Sequence, residues 1–575
     1  MKTLFTLLTA GAMTISAPAA AQSAIGDWQA TLDAGGTPLR IVVHITQSGE
    51  GGLTGTSDSP DQGAFGMLLG EISTEPATLA FTVPSVGARY SGTWNEASKS
   101  WEGEFRQGAF VAPLVFSAGP PPEPLPANWV VPADDALAGL IDARIAPRAG
   151  QGLVIGVLEP GGGRIVARGP EGGAAFDGST LFEIGSISKV FTALILADMA
   201  TKGEVSLDDP AEKFLPAGAT VPERNGRKIT LRDLSTHTSG LPRLPDNMPF
   251  GDPDDPYADY TEALMLAFLA GYELPRDIGQ KWEYSNLGVG LLGYLLGRAA
   301  GSDYETLLRE RITGPLGMAD TSVALTPDQQ VRFAPAYDTY MRPAKPWHLP
   351  ALVGAGGIRS TTDDMLKFAG AILDPASPIG PAMAITLGVR EETGNERAEQ
   401  ALGWQVFHPE PGREIVMHGG GTGGFRTHLA LEPSTRRAVV ALANSAAEPS
   451  AADLAIHTLI GSPVAPTPPV PPAPPPPAAR TEVDLPTAEL ERVAGRYDFG
   501  SGVVFNVKLE ADELRAQREG AVVGPVLPIY PEAPLRFFWR AVDAQVRFTT
   551  DDSGKVTGAE FSQGGVMLTG KRIEP

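Results

Sequence analysis

At 575 residues the chain is too long for one hydrophobic core, and two to four domains are expected. Its 67 acidic residues outnumber 45 basic ones for a net charge of −22, which argues against nucleic acid or an anionic membrane surface as a partner. The absence of cysteine excludes disulfides, a lipid-anchored cysteine and thiolate metal sites.

The first residues, 1–21, read as a secretory leader. Lys2 supplies the positive start, Leu4 to Ile15 is mostly apolar, and Ala19, Ala20 and Ala21 form a small-residue cleavage site. Beyond it no run approaches the ~18 apolar residues of a membrane-spanning helix. A soluble periplasmic or secreted protein is the expectation. Residues 22–118 alternate apolar and polar: Leu39, Ile41, Val43 and Ile45 share one strand face, as do Leu79, Phe81 and Val83. That pattern predicts a small all-β domain. A short proline-rich join, 119–128, follows. A longer one, 462–479 (SPVAPTPPVPPAPPPPAA), predicts an extended spacer. Past it, 480–575 alternates again at Val503, Phe505, Val507 and Leu509, predicting a second small β domain or barrel.

The middle, 129–461, reads as α+β. A hairpin, LVIGVLEPGGGRIVARG, precedes a helix near 186, and helices and loops run to about 375. Strands return in REIVMHGG, TGGFRTHLALEP and RAVVALANS before a closing helix, ADLAIHTLI. Three clusters in this region can carry chemistry. In FEIGSISKV, Ser186 and Lys189 are three apart at a helix start, so hydroxyl and amine share a face, and a buried lysine can lose its proton and act as base. Ser188 is offset by about 100° from Lys189 around the helix. In KWEYSNLG, Tyr284 and Asn286 stand two apart on an extended segment, and a tyrosine between two cations can titrate low enough to be a base. In VMHGGGTGGF, His418 ends a strand-like run, and the glycines after it leave the strand edge open to a substrate backbone. Taken singly, each string is as well explained by a helix cap, a buried tyrosine or a flexible loop.

In this order and at these separations, the three resemble the class C β-lactamase and penicillin-recognising serine hydrolase family: S-x-x-K, then Y-x-N about 100 residues on, then a K-T-G or H-x-G strand. LSTHTSGLP (234–242), GGIRSTTDDMLKFA (356–369) and ALGWQVF (401–407) are similar to the same family. The resemblance implies a β-lactamase/transpeptidase-like domain, an antiparallel sheet flanked by helices with a helical insertion, between two small all-β domains. It further implies Ser186 as acylated nucleophile, Lys189 and Tyr284 as bases, and Asn286, His418, Gly420 and Gly421 as substrate or oxyanion contacts. No cofactor or metal is implied. Histidine stands where the antibiotic-hydrolysing members carry lysine, which points to small esters or short peptides and amides, D-amino-acid peptides among them. A true β-lactamase or D,D-peptidase is the first alternative, and a non-catalytic peptide binder or acylation sensor the second.

Other chemistries lack their residues. There is no G-x-S-x-G elbow and no H-E-x-x-H, and the seven histidines are scattered. His237 reads as a structural hydrogen-bonding residue. The acidic loop DPDDPYAD (252–259) lacks the spacing of a calcium loop and reads as a solvated turn.

Overall fold

The computed structural model describes residues 24–573 apart from 34–37, 48–51, 60–63, 75–76, 108–109, 120–124, 127, 250, 396, 411, 450, 471–472, 474–479, 501–502, 511, 521–525, 541–543 and 564–565. The leader therefore lies outside the described residues, as does part of each proline-rich join. Among the described residues, no helix is long and apolar enough to cross a membrane.

Nine antiparallel strands, from Gly26–Asp33 to Phe110–Ala118, build the N-terminal domain, and the first also pairs with the last. Its inner face is the alternating set seen in the sequence, with Val43 and Leu79 wholly buried. Trp28, Trp94 and Trp101 meet edge to face at 5.1–5.9 Å to close the core. At the other end of the chain, eight strands from Gly495–Asp498 to Val566–Ile573 close into a barrel. Phe505, Trp539, Phe548 and Phe561 fill its lumen, leaving about 10 Å³. This barrel is a packed core and not a ligand cup.

The middle domain is built on one eight-stranded antiparallel sheet with helices on both faces. Its strands are β1 (Leu153–Glu159), β2 (Gly162–Arg168), β3 (Glu391–Asn395), β4 (Ala398–Gln400), β5 (Gln405–Phe407), β6 (Ile415–Gly421), β7 (Arg426–Glu432) and β8 (Arg437–Ala443). They lie in the order β2-β1-β8-β7-β6-β5-β4-β3, so strands from both ends of the domain meet at the β1–β8 pair. Period-two alternation decides which helices cover each face. Leu153, Ile155, Val439 and Ala441 face helices α1 (Asp134–Ile145) and α5 (Ala452–Ile460). Val154, Val440 and Leu442 face the insertion, which contains α2 (Ser188–Thr201), α3 (Asn286–Ala300) and α4 (Val353–Gly356). Glycines set the spacing within the insertion: a Cβ on Gly290 would lie 2.5 Å from the Leu352 side chain, and one on Gly293 would lie 3.0 Å from the Gly354 Cα. Helix α4 can therefore lie directly on α3.

The long proline-rich segment departs from the spacer that composition predicts. Its first residues are packed against the middle domain, because Arg144 and Asp453 form a buried bidentate pair (2.8 and 2.7 Å) that also grips the chain there. Asp453 accepts from the Ala465 N–H at 2.9 Å, while Arg144 donates to the Ala465 carbonyl at 3.2 Å and to Thr467 Oγ1 at 2.9 Å. Farther on, burial raises the Asp246 carboxyl, against the opposing charge of Arg515 in the C-terminal barrel. Removing one partner of a buried pair strands the other charge, so Asp453→Ala should destabilise the middle domain by about 3–5 kcal/mol in denaturant titration. A loss below about 1 kcal/mol would show that the pair does not tie the domain's ends.

Candidate active site

Strand residues Leu181–Glu183, paired with Arg359–Thr361, lead into a tight turn at Gly185, whose φ of +52° is left-handed. The sequence places Ser186 on the first turn of a helix. It instead sits in a 3₁₀ turn, Gly185–Ile187, that runs on into α2. The three-residue spacing still brings the groups together: Lys189 Nζ donates to Ser186 Oγ at 3.1 Å and to the Ala355 carbonyl on α4 at 2.7 Å. Lys189 is wholly buried, and burial, with the Arg243 cation adding to it, lowers its pKa well below the usual 10.5. Ser188 turns away and accepts the Ile358 N–H at 3.1 Å, which is a structural task.

The segment before α3 brings in Tyr284. Ser285 caps α3, accepting the Gly288 N–H at 2.8 Å and donating to the Pro242 carbonyl at 2.6 Å. That cap fixes the extended residue before it, and Ser186 beside the Tyr284 phenol acts to lower its pKa. Lys189 Nζ lies 4.8 Å and Arg243 Cζ 5.0 Å from the centre of the Tyr284 ring. The sequence reading has two such cations pulling the phenol pKa down. The opposite holds: burial pushes Tyr284 up to about 12, against the smaller effects of Ser186 and Arg243. One of the two expected cations is itself a lysine driven toward its neutral form. His237, at φ +62°, packs on Tyr284 at 4.5 Å and accepts the Ser285 N–H at 3.1 Å, so it positions the segment. Asn286 is the first residue of α3 rather than part of the extended run, and its Oδ1 is buried without a partner.

Strand β6 supplies the opposite wall. It pairs with β7 as far as Gly421, but with β5 only over Ile415–Met417, which leaves the edge from His418 to Gly421 open on that side. His418 is 3% exposed and its Nδ1 lies 2.6 Å from the Gly419 carbonyl, so Nδ1 carries the proton and Nε2 is left as an acceptor. Burial, and then Lys189, lower its pKa to about 3, and it is neutral at physiological pH. A Cβ on Gly420 would stand 2.0 Å from the Ile184 carbonyl, and one on Gly185 would stand 2.6 Å from the Gly421 nitrogen. Thr427 Oγ1 donates to the Ile184 carbonyl at 2.9 Å and holds the same approach.

Ser186, Lys189, Tyr284 and His418 thus converge, with Asn286 at the same end of α3 and Gly420 and Gly421 against the serine turn. Sequence reasoning missed Arg243, Tyr257 and Trp347, which sit in loops with neither periodicity nor motif. It also gave the acidic loop 252–259 as a solvated turn, whereas Asp252 and Asp255 hold Lys345 and His348 at 2.7 and 2.6 Å. A cavity of about 1050 Å³, lined by Tyr304, Phe333, Leu349 and Val353, borders α4 but contains none of the converging groups. Glu399, His408 and Glu414 gather potential metal ligands, but Arg390 lies 3.5 and 3.9 Å from the two carboxylates and already answers their charge.

The family model described as Beta-lactamase matches residues 137–460, and the chain belongs to that family. It is a serine hydrolase of the β-lactamase and penicillin-binding class. The D-alanyl-D-alanine-carboxypeptidase/endopeptidase AmpH of Escherichia coli K12 is 34% identical over 269 residues, covering 44% of this chain and 68% of that one. Penicillin-binding protein 4* of Bacillus subtilis is 30% identical over 406 residues, covering 66% and 84%. A crystal structure of a β-lactamase/D-alanine carboxypeptidase from Pseudomonas syringae covers 57% of this chain and 99% of that one, at 22% identity and a TM-score of 0.49.

The glycine contact gives a direct check. Gly420→Ala forces a methyl into a backbone carbonyl and the Thr427 hydroxyl, and should separate β6 from the serine turn. Covalent labelling by a fluorophosphonate should fall at least ~10-fold while far-UV circular dichroism stays native-like. Undiminished labelling would show that the approach is not needed.

Proposed function

We propose that the protein is an exported acyl-transfer hydrolase that cleaves small esters or short peptides and amides, D-amino-acid peptides among them, through an acyl-enzyme on Ser186. The observation that carries this is the buried Lys189 amine 3.1 Å from Ser186 Oγ, with no ion-pairing carboxylate among the described residues. Neutral Lys189 takes the hydroxyl proton as Oγ attacks the carbonyl carbon. The backbone N–H of Ser186 and one from the Gly420–Gly421 end of β6 hold the tetrahedral oxygen. Tyr284, protonated in the free site, passes a proton to the departing oxygen or nitrogen while Lys189 restores it, and water then repeats the sequence to release the acid. Asn286 and His418 orient the substrate. The leader read in residues 1–21 directs this activity to the periplasm or beyond.

A second reading has its own support. Arg243, beside Tyr284, is a permanent cation that suits a terminal carboxylate, and the relative AmpH carries the name of a D-alanyl-D-alanine carboxypeptidase. Cleavage of D-alanyl-D-alanine peptides is then the activity. Intact-mass measurement after exposure to a p-nitrophenyl ester, a D-alanyl-D-alanine peptide and a penicillin, each with turnover, separates the readings. A single acyl adduct on the wild type and none on Ser186→Ala is the expected result. Adduct persisting in Ser186→Ala would remove Ser186 as nucleophile, and stoichiometric acylation without turnover would make the protein a sensor.

His418 decides how carboxylates fare on the β6 side. A neutral imidazole can accept or donate a hydrogen bond but attracts an anion weakly. Penicillins and cephalosporins should therefore turn over poorly. His418→Lys should shift kcat/KM toward carboxylate-bearing substrates by about 10-fold, or ~1.4 kcal/mol. Wild-type hydrolysis of nitrocefin faster than of any simple p-nitrophenyl ester contradicts this and favours a β-lactamase.

A further inference from the structure

Glycines let the helices beneath the serine lie close together, and most of them have a steric reason. A Cβ would lie 2.5 Å from the Leu352 side chain on Gly290, 3.0 Å from the Gly354 Cα on Gly293 and 2.9 Å from the Val353 side chain on Gly357. Gly356 differs. It is half-buried at the end of α4, its φ is not left-handed, and a Cβ there would meet nothing closer than Leu349 Cδ2 at 3.4 Å. The next atom is the Gly185 carbonyl carbon at 3.9 Å. Neither backbone conformation nor packing requires glycine at this place. The missing side chain leaves a gap between Leu349 and the turn that carries Ser186.

Leu349 is also a wall of the cavity of about 1050 Å³ that borders α4. That volume is at the upper end of the ~300–1,000 Å³ usual for small-molecule sites. Tyr304, Phe333 and Val353 give it apolar walls, and these are held from behind. The Tyr304 hydroxyl is hydrogen-bonded to Thr192 of α2 at 2.6 Å, and the Phe333 ring stands 5.4 Å from that of Phe425. Next to Leu349, the Trp347 N–H donates to Glu183 Oε1 at 2.8 Å. The cationic groups of the wall are already committed. Arg359 pairs with Glu183 at 3.0 Å and donates to the Trp347 and Val323 carbonyls, and His348 Nδ1 lies 2.6 Å from Asp255 Oδ2. Asp303 and Glu305 add two carboxylates. Such a lining suits an uncharged apolar group, an aromatic ring against Tyr304 and Phe333, and opposes an anion.

We propose that this cavity receives the acyl group of the substrate, and that Gly356 is the specificity-determining residue whose missing side chain opens the way to it from Ser186. The favoured acyl donors then carry a bulky, uncharged apolar group, an aryl ring above all, a few atoms from the reacting carbonyl. The inference rests on the reading that Ser186 is acylated, and it names the substrate class of that reaction.

Three p-nitrophenyl esters with the same reacting end test it: those of butanoate, 4-phenylbutanoate and 4-(4-carboxyphenyl)butanoate. In the wild type, kcat/KM should be at least ~10-fold higher for 4-phenylbutanoate than for butanoate, and the added carboxylate should abolish the gain. Gly356→Phe fills the gap on a backbone that accepts a side chain, and should lower the phenylbutanoate-to-butanoate ratio by about 10-fold. Ala324→Trp, at an exposed place on another wall of the cavity, should lower the ratio in the same direction. A ratio that neither variant lowers overturns the inference, because a merely structural role depresses both esters in parallel. Wild-type protein that gains an acyl mass from each ester yet shows no preference among them overturns this inference alone. Wild-type protein that hydrolyses none and gains no acyl mass overturns the acyl-enzyme reading, and this inference with it.

Discussion

A wholly buried lysine with no carboxylate partner among the described residues is the constraint around which the middle domain is arranged. Its amine hydrogen-bonds the Ser186 hydroxyl and the Ala355 carbonyl and lies 4.8 Å from the centre of the Tyr284 ring. Burial favours the neutral amine, and a neutral amine beside a serine is a base. Keeping it so requires the apolar insertion above α2, and it requires the Ala355 carbonyl to stand 2.7 Å away. That carbonyl is in place because α4 lies directly against glycines of α3. The packing of three helices and the protonation state of one side chain are therefore one problem with one solution.

The same dehydration extends to the neighbours. His237 and His418 are both pushed toward the neutral form, and Tyr284 is pushed toward the phenol. Arg243 contributes a permanent cation at the rim. In the proposed acylation, proton transfer would begin between neutral partners. In that proposed step charge would develop chiefly on the substrate oxygen, where preorganised backbone N–H groups would answer it. Glycine at 185 and 420 is what allows two pieces of backbone to come this close, since a methyl group at either position would meet main-chain atoms.

Much of this was legible in the sequence. The alternation at Leu39–Ile45 and Leu79–Val83 is the inner face of the N-terminal sheet, because a strand with one buried face must repeat every two residues. The spacing of Ser186 and Lys189 carried over even though the local helix is 3₁₀ at the serine, since residues three apart stay neighbours in both forms. What was not legible depends on distant segments meeting. The pKa of Tyr284 follows from total burial, which no local string encodes. The packed start of the long proline-rich segment depends on Arg144 and Asp453, 309 residues apart. Tyr257 and Trp347 come together through loops whose sequences look like ordinary solvated turns.

The pairing of Arg144 with Asp453 also bears on how this domain sits among its neighbours. It joins the first and last helices of the middle domain on the sheet face away from Ser186, and the chain enters and leaves next to that junction. Topologically the domain is a nearly closed ring whose opening is clasped by one ion pair. Both chain ends of the domain are thereby held on the face opposite Ser186, while the N-terminal domain also meets the sheet edge at β3, where the Leu68 side chain stands beside Gly394. The two β domains on this chain are attached at that opening.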